Sequence, residues 1–385
     1  MNRGETEYSK IAVFSISGIG NTIFAVPMLR LLRQSYPNAH ISLFVRFQAA
    51  KDLLKECPYV DDIRVVNEKL VNSLKSKIGL ILELRKEKFD LSITAFPSEK
   101  REKNIFSFLI GSPMRVTHKY LRDAITDLGF LQTIRVLVDI TIHDLDQNLK
   151  LLDAIGIEIK NADRKLQVWI PEEDENFANN YVENILDNGK ADGAILVGFH
   201  AGSSDEFGML HKRWGTNNFA KLADMLIEKY NAKILLFGGP EEKELKNSIA
   251  VQMKHSPVIV EKTSIQKDAA IIKRCDLFIS NDSGNMNLSL AVGTKTIGLF
   301  GPVGSVRANL HNEQHVVIES LVPCSPCWSL ANIFEPLICT QPKVICMKQI
   351  TVERVFKAAD EYLAGFKNEN VRLDEIEKKA MVLDQ

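Results

Sequence analysis

The stretch FSISGIGNTIFAVPMLRLL, residues 14–32, joins an apolar run to a small-residue loop, Ser17-Gly18-Ile19-Gly20-Asn21-Thr22, and then to apolar residues at helical spacing. A strand that ends in glycines and passes into a helix is a building unit of parallel α/β sheets. Glycines let a ligand approach the backbone, and the helix start offers unpaired N–H groups to an anionic or polar group. The loop is not the dinucleotide fingerprint G-x-G-x-x-G, because Ile23 stands where the third glycine belongs. It also reads as a plain strand-to-helix turn with Asn21 as the helix N-cap.

Outward from this unit the chain alternates strand-like and helical patterns. Strand-like runs are 11–15, 40–45, 63–66, 91–94, 194–199, 232–237, 258–260, 277–280 and 296–300, with helical patterns such as 23–35, 217–230 and 267–274 between them. The series runs twice, which predicts two doubly wound domains whose strand ends face one cleft. The expected division is an N-terminal domain over 1–170, a second domain over 171–350, and a C-terminal helix with a charged tail over 351–385. A chain of 385 residues is long for a single core, in keeping with two domains.

Lysine and arginine number 48 against 49 acids, so there is no overall attraction to nucleic acid and no nucleic-acid partner is expected. The first residues, MNRGETEYSK, lack the apolar core of a signal peptide, and no apolar run reaches the roughly 18 residues of a membrane span. The expected location is cytoplasmic, with reduced thiols.

Three further stretches follow strand-like runs. Phe199-His200-Ala201-Gly202-Ser203-Ser204 leads to Lys212-Arg213-Trp214, where hydroxyls, backbone N–H groups and the Lys212 ammonium suit phosphate oxygens. Lys212-Arg213 also reads as a solvated surface pair, and His200 reads as a structural hydrogen-bonder. In Gly238-Gly239-Pro240-Glu241-Glu242 the acids either favour a helix N-terminus or accept hydrogen bonds from sugar hydroxyls. Asn281-Asp282-Ser283-Gly284-Asn285-Met286-Asn287-Leu288 gathers Asp282, Ser283, the Gly284 amide and Asn287 at a helix start suited to a diphosphate and its sugar. The alternative for Asp282 is a plain N-cap.

In order, these segments and the strand Thr296–Pro302 resemble the ADP-heptose:lipopolysaccharide heptosyltransferase family, glycosyltransferase family 9. The resemblance covers most of residues 10–355. It implies an α/β GT-B fold, a nucleotide-diphosphate sugar bound by Gly202, Ser203, Ser204, Lys212, Glu241, Glu242, Asp282, Ser283, Gly284 and Asn287, and an acceptor near Ser17, Gly18, Gly20 and Thr22. It further implies inverting transfer of a heptose-like sugar to a lipopolysaccharide-core or related glycan, with no metal cofactor required and a cytoplasmic enzyme touching the inner membrane peripherally. Three positions depart from the family pattern, and at one of them Asn285 stands for a proline. Asn21 replaces the loop aspartate expected as general base, and an amide cannot take a proton from a hydroxyl at neutral pH. Asn287 replaces a histidine. Asn21 is therefore expected to orient, with deprotonation falling to a donor phosphate oxygen or to another acid such as Glu99 in the basic stretch FPSEKREKN. Competing readings are a GT-B sugar-nucleotide epimerase and a catalytically silent sugar-nucleotide or glycan binder.

Cys57 and Cys275 fall in elements that read as structural. Cys324, Cys327, Cys339 and Cys346 form C-x2-C-x11-C-x6-C, the ligand count of a structural zinc site, with free or redox-active thiols as the alternative.

Overall fold

The computed structural model describes residues 7–66, 73–98, 101–120, 127–186, 194–261, 263–307, 315–328, 337–341 and 343–364. The first sheet is built from β1 (Lys10–Ser15), β2 (His40–Val45), β3 (Asp62–Val65), β4 (Leu91–Thr94), β5 (Met114–Lys119) and β6 (Ile134–Leu137) in the order β3-β2-β1-β4-β5-β6. The second holds β7 (Leu196–His200), β8 (Lys233–Phe237), β9 (Val258–Ile259), β10 (Leu277–Asn281), β11 (Thr296–Phe300) and β12 (His315–Glu319) in the order β12-β11-β10-β7-β8-β9. All pairings are parallel.

The two orders are the same topology, counted from each sheet's first strand. Each reverses beside that strand, between β1 and β4 and between β7 and β10, and ligands of such sheets bind outside the strand ends at the reversal. The loop 16–22 therefore leaves one switch point, and the loops after His200 and Asn281 leave the other. Strands β7 and β10 are buried along their whole length, as expected of central parallel strands covered on both faces.

The main core packs Ile11, Val13, Ile41, Leu43 and Ile93 of the first sheet under the helices Val26–Ser35 and Asp144–Asp153. It continues into the second half through Phe278, Met286 and Leu288. A second core gathers Val197, Phe199, Trp214 and Phe219 with Val355, Ala359 and Leu363 of the helix 352–364. A third cluster crosses between the halves: Phe96, Tyr120 and Val138 from the first sheet's strand ends meet Val303, Trp328 and Leu337. Against it Arg307 donates two hydrogen bonds to Asp144, at 3.1 and 2.9 Å, with both side chains largely buried. The guanidinium also lies over the rings of Phe96 and Trp328.

The single helix expected over 23–35 is two, Ile19–Phe24 and Val26–Ser35, because Pro27 cannot donate an N–H into a continuing helix and instead opens a new one. Strands β5, β6 and β12 escape the hydrophobic pattern: β5 reads MRVTHK, while β6 and β12 lie at sheet edges. The helix Glu172–Ile185, which opens the expected second domain, packs on Ile265–Lys273 and is tied there by Glu175 to Lys273 and Arg274. The charged tail 367–385 lies outside the described residues.

Replacing Asp144 by alanine leaves the Arg307 charge buried without its partner. The expected cost is about 3–5 kcal/mol, the usual penalty for breaking a buried ion pair. Chemical unfolding of Asp144→Ala and of Asp144→Ala/Arg307→Met checks this: the double variant should recover much of the loss, and an unchanged single variant would contradict the role given to the pair.

Candidate active site

The two switch points meet. A Cβ on Gly20 would lie 2.4 Å from Asn287 Nδ2 and 3.5 Å from Gly284 Cα, so a larger residue there must displace the Asn287 amide on which the loop after β1 rests against the helix Gly284–Ala291. At Gly284 an added Cβ would stand in ordinary contact, 3.7 Å from the Gly20 backbone nitrogen, so the tight side of the seam is Gly20. Gly18 is different: its φ is −64° and an added Cβ would meet nothing within 4 Å, so the chain itself does not require glycine there. Gly18, not Asn21, is the N-cap residue of Ile19–Phe24. The Asn21 amide donates to Ser17 Oγ at 2.7 Å, and Thr22 Oγ1 donates to the Gly18 carbonyl at 3.3 Å. Both bonds hold the loop's shape.

Across the seam, a buried polar network fixes the second switch point. Asn281, fully buried at the end of β10, donates to the Ala201 carbonyl at 2.7 Å and accepts from the Trp214 N–H at 3.1 Å. One amide thus ties the β7 loop, the end of β10 and the segment after Lys212-Arg213. His200, at the end of β7, shares one hydrogen bond with Ser283 Oγ at 2.9 Å and another with Glu242 Oε2 at 3.0 Å. Ser283 in turn caps the helix Gly284–Ala291 by accepting from the Met286 N–H at 3.4 Å, so the cap is Ser283 rather than Asp282. Burial alone would raise the Glu242 carboxyl, but the His200 hydrogen bond and the Arg213 charge hold it below the usual carboxylate range. A Cβ at Gly202 would fall 1.5 Å from Glu242 Oε1, which explains the glycine.

Ser203 Oγ donates to the Met209 carbonyl at 2.9 Å and accepts from Arg213 Nε at 3.2 Å, while Ser204 Oγ accepts from the Glu206 N–H. Lys212 and Asp282 form an ion pair of 2.9 Å, each side chain about 15% exposed or less. Glu242 faces inward, whereas Glu241 is exposed and folds over Gly239. Asn287 is buried beneath Gly20, and its Oδ1 has no hydrogen-bond partner among the described residues. Glu99 lies outside the described residues.

The two switch points thus bring glycine-rich strand ends together beside the Lys212–Asp282 pair and a helix N-terminus, chemistry that suits a phosphate group. Residues 79–338 match the model of "Glycosyltransferase family 9 (heptosyltransferase)". This chain belongs to glycosyltransferase family 9. The family 9 enzyme is 30% identical over 363 residues to lipooligosaccharide heptosyltransferase 2 of Campylobacter jejuni, covering 92% of this chain and 98% of that one. It is 21% identical over 314 residues to the lipopolysaccharide core heptosyltransferase OpsX of Haemophilus influenzae, covering 80% and 83%. Among solved structures, the glycosyl transferase family 9 protein of Veillonella parvula superposes with a TM-score of 0.78 at 25% identity, over 94% of this chain and all of that one. The E. coli ADP-heptose LPS heptosyltransferase II superposes with a TM-score of 0.71 at 20% identity, over 93% and 99%. The fold is GT-B, and the chain is a glycosyltransferase.

Several residues that shape this enzyme's cleft carry no local sequence signal. Asp144 and Arg307 are 163 positions apart. Burial, with Asp282 nearby, pushes the Asp144 carboxyl up against the opposing pull of Arg307. A cavity of about 1000 Å³ lies elsewhere, bounded by 141–143, 163–170 and 290–293, and includes none of the glycine-loop residues.

Cys57 and Cys275 are buried free thiols, the former pushed up to about 11 by desolvation. The four late cysteines line one small pocket with His211 and Leu337. Among the described residues, however, no group of three or more His, Cys, Asp or Glu side chains is arranged to hold a metal ion. The spacing C-x2-C-x11-C-x6-C thus gathers four thiols around one pocket, none of them in a disulfide. Burial, with neighbouring sulfurs adding, raises Cys327 and Cys346 and favours their neutral form.

Gly20→Ala should lower kcat/KM by forcing the seam apart, and Gly20→Ala/Asn287→Ala should restore part of it. A coupling energy of about 0.5–3 kcal/mol between the two sites is expected from residues in direct contact. Purely additive effects in the double-mutant cycle would contradict the seam.

Proposed function

We propose that this enzyme transfers a heptose from ADP-heptose to the core of a lipopolysaccharide or lipooligosaccharide, with inversion at the anomeric carbon. The observation that carries the reading is the contact of Gly20 with Gly284 and Asn287, which sets the acceptor-side loop at the helix start suited to the donor diphosphate. The relatives' names supply the sugar and the acceptor class. The expected division into an acceptor-binding domain over 1–170 and a donor-binding domain over 171–350 belongs to the same proposal, as does action at the cytoplasmic face of the inner membrane. No helix among the described residues is long and apolar enough to cross a membrane.

In this reading the N–H groups at Ser283–Asn285 and the Lys212 ammonium receive the diphosphate. An arriving diphosphate competes with Asp282 for Lys212 and frees that carboxylate for sugar hydroxyls. His200 and Glu242 hold Ser283 in place from behind. The acceptor hydroxyl oxygen then bonds to the anomeric carbon while the bond from that carbon to the diphosphate oxygen breaks, its electron pair leaving with ADP. The hydroxyl proton goes to a departing phosphate oxygen, and Asn21 orients the loop through Ser17. No metal enters these steps.

Single-turnover transfer from ADP-heptose to a heptose-deficient core oligosaccharide tests the reading, with Lys212→Ala and Asn21→Asp alongside. Lys212→Ala should weaken donor binding by about 1.5–3 kcal/mol through loss of a charge-assisted bond. A restored general base would raise the rate by about 10²–10⁴-fold. Asn21→Asp is expected instead to leave it flat or lower. No transfer by the unmodified enzyme would overturn the donor and acceptor assignment, and a large gain in Asn21→Asp would overturn the proton route.

A further inference from the structure

The helix Leu74–Glu87, which covers the outer face of the first sheet, is apolar on two sides. Its inner side places Leu84, fully buried, and Leu80 against Phe14, Phe44 and Phe89. At 3.6 residues per turn, Ile78 and Leu82 fall on the opposite side, one turn apart. They are 48% and 55% exposed. A helix that needs only its inner stripe for folding gains nothing within the chain from a second apolar stripe facing outward. The same outer side carries Lys75, Arg85 and Lys86, all exposed. Glu83 is an exposed acid on this helix, whereas Glu87 is ion-paired with Arg64.

The surface continues onto the neighbouring helix. Arg85 donates to the Leu109 carbonyl at 2.9 Å, at the end of Arg101–Leu109. Beside it Phe108 is 43% exposed, with the Arg115 guanidinium 5.4 Å from its ring centre. Arg115 donates on to the Leu131 carbonyl, next to Phe130, which is 66% exposed. Apolar side chains alternate with cations across three elements, in a chain whose formal net charge is −1. Local positive charge on a near-neutral protein, interleaved with outward Ile, Leu and Phe, is the chemistry of a surface that enters the headgroup layer of an anionic bilayer.

We propose that this face of the first half docks on an anionic phospholipid bilayer, with Ile78, Leu82 and Phe108 in the headgroup–acyl boundary and Lys75, Arg85 and Lys86 on lipid phosphates. The proposal deepens the functional reading and rests on it in one respect: a lipid-anchored acceptor explains why the acceptor-side half carries the surface. The helices Leu74–Glu87 and Arg101–Leu109 each precede a parallel strand, β4 and β5, and so run back from the cleft end of the sheet. A docked enzyme would therefore bring its cleft beside the membrane plane. Arg101, in the stretch FPSEKREKN, is paired to Glu102 at the margin of this face.

Co-sedimentation of the full chain with vesicles tests this, using phosphatidylglycerol with phosphatidylcholine in equal parts against phosphatidylcholine alone. The chain should bind the anionic vesicles, lose binding as salt is raised, and ignore the neutral ones. Lys75→Glu/Lys86→Glu should reduce the affinity at least about tenfold, since each cation near the surface contributes severalfold. Ile78→Ser/Leu82→Ser should also reduce it, and both variants should keep wild-type melting temperature, donor affinity and turnover on a lipid-free acceptor. Equal binding to neutral vesicles, unchanged binding by both variants, or a wild-type dimer that the variants convert to monomer would overturn the proposal. Vesicle binding requires no donor, so a failed transfer assay and a failed docking assay give separate results.

Discussion

The approach of Gly20 to the helix Gly284–Ala291 is the constraint on which the rest of the cleft depends. Two doubly wound halves can face each other at many separations, and here the loop after β1 rests directly on a helix N-terminus of the other half. A single methyl group at Gly20 would run into Asn287. The ion pair of Asp144 with Arg307 and the apolar cluster of Phe96, Tyr120 and Trp328 hold the same two halves together at the cleft's flank. Both sides of the Asp144–Arg307 pair are desolvated, so its merit is in fixing geometry more than in net stability.

Rigidity at the second switch point comes from a few buried polar groups that tie separate chain segments together. Asn281 joins three chain segments through one amide, and His200 links Glu242 to the serine that caps the helix. Placing these groups behind the loops leaves the outward N–H groups and the Lys212 ammonium for a ligand. The Lys212–Asp282 pair is suited to exchange, because an anion that takes the cation frees a carboxylate in the same place.

Much of this was legible in the sequence because central parallel strands are continuous apolar runs that end in glycine and small polar residues. The loops at Gly18–Thr22, His200–Ser204 and Asn281–Gly284 were placed by that signal alone. Edge strands β6 and β12 were not, since β6 buries none of its residues fully and β12 buries only His315 and Ile318, and Pro27 divided a helix that apolar spacing had made continuous. Cysteine spacing brought four thiols into one pocket but did not specify a ligand geometry. The partnership of Asp144 with Arg307 depends on how two halves dock, and no local pattern encodes that.

The central claim is that one diphosphate sugar engages the N-terminus of Gly284–Ala291 together with the loop after β1, across the seam. Hydrogen exchange of backbone amides with and without ADP-heptose measures this directly. The account predicts that saturating donor slows exchange at Ser283–Met286 and at Gly18–Gly20 together, with the largest change at the former. Slowing confined to residues 141–143 and 163–170, at the separate cavity, or to one half alone, would contradict it.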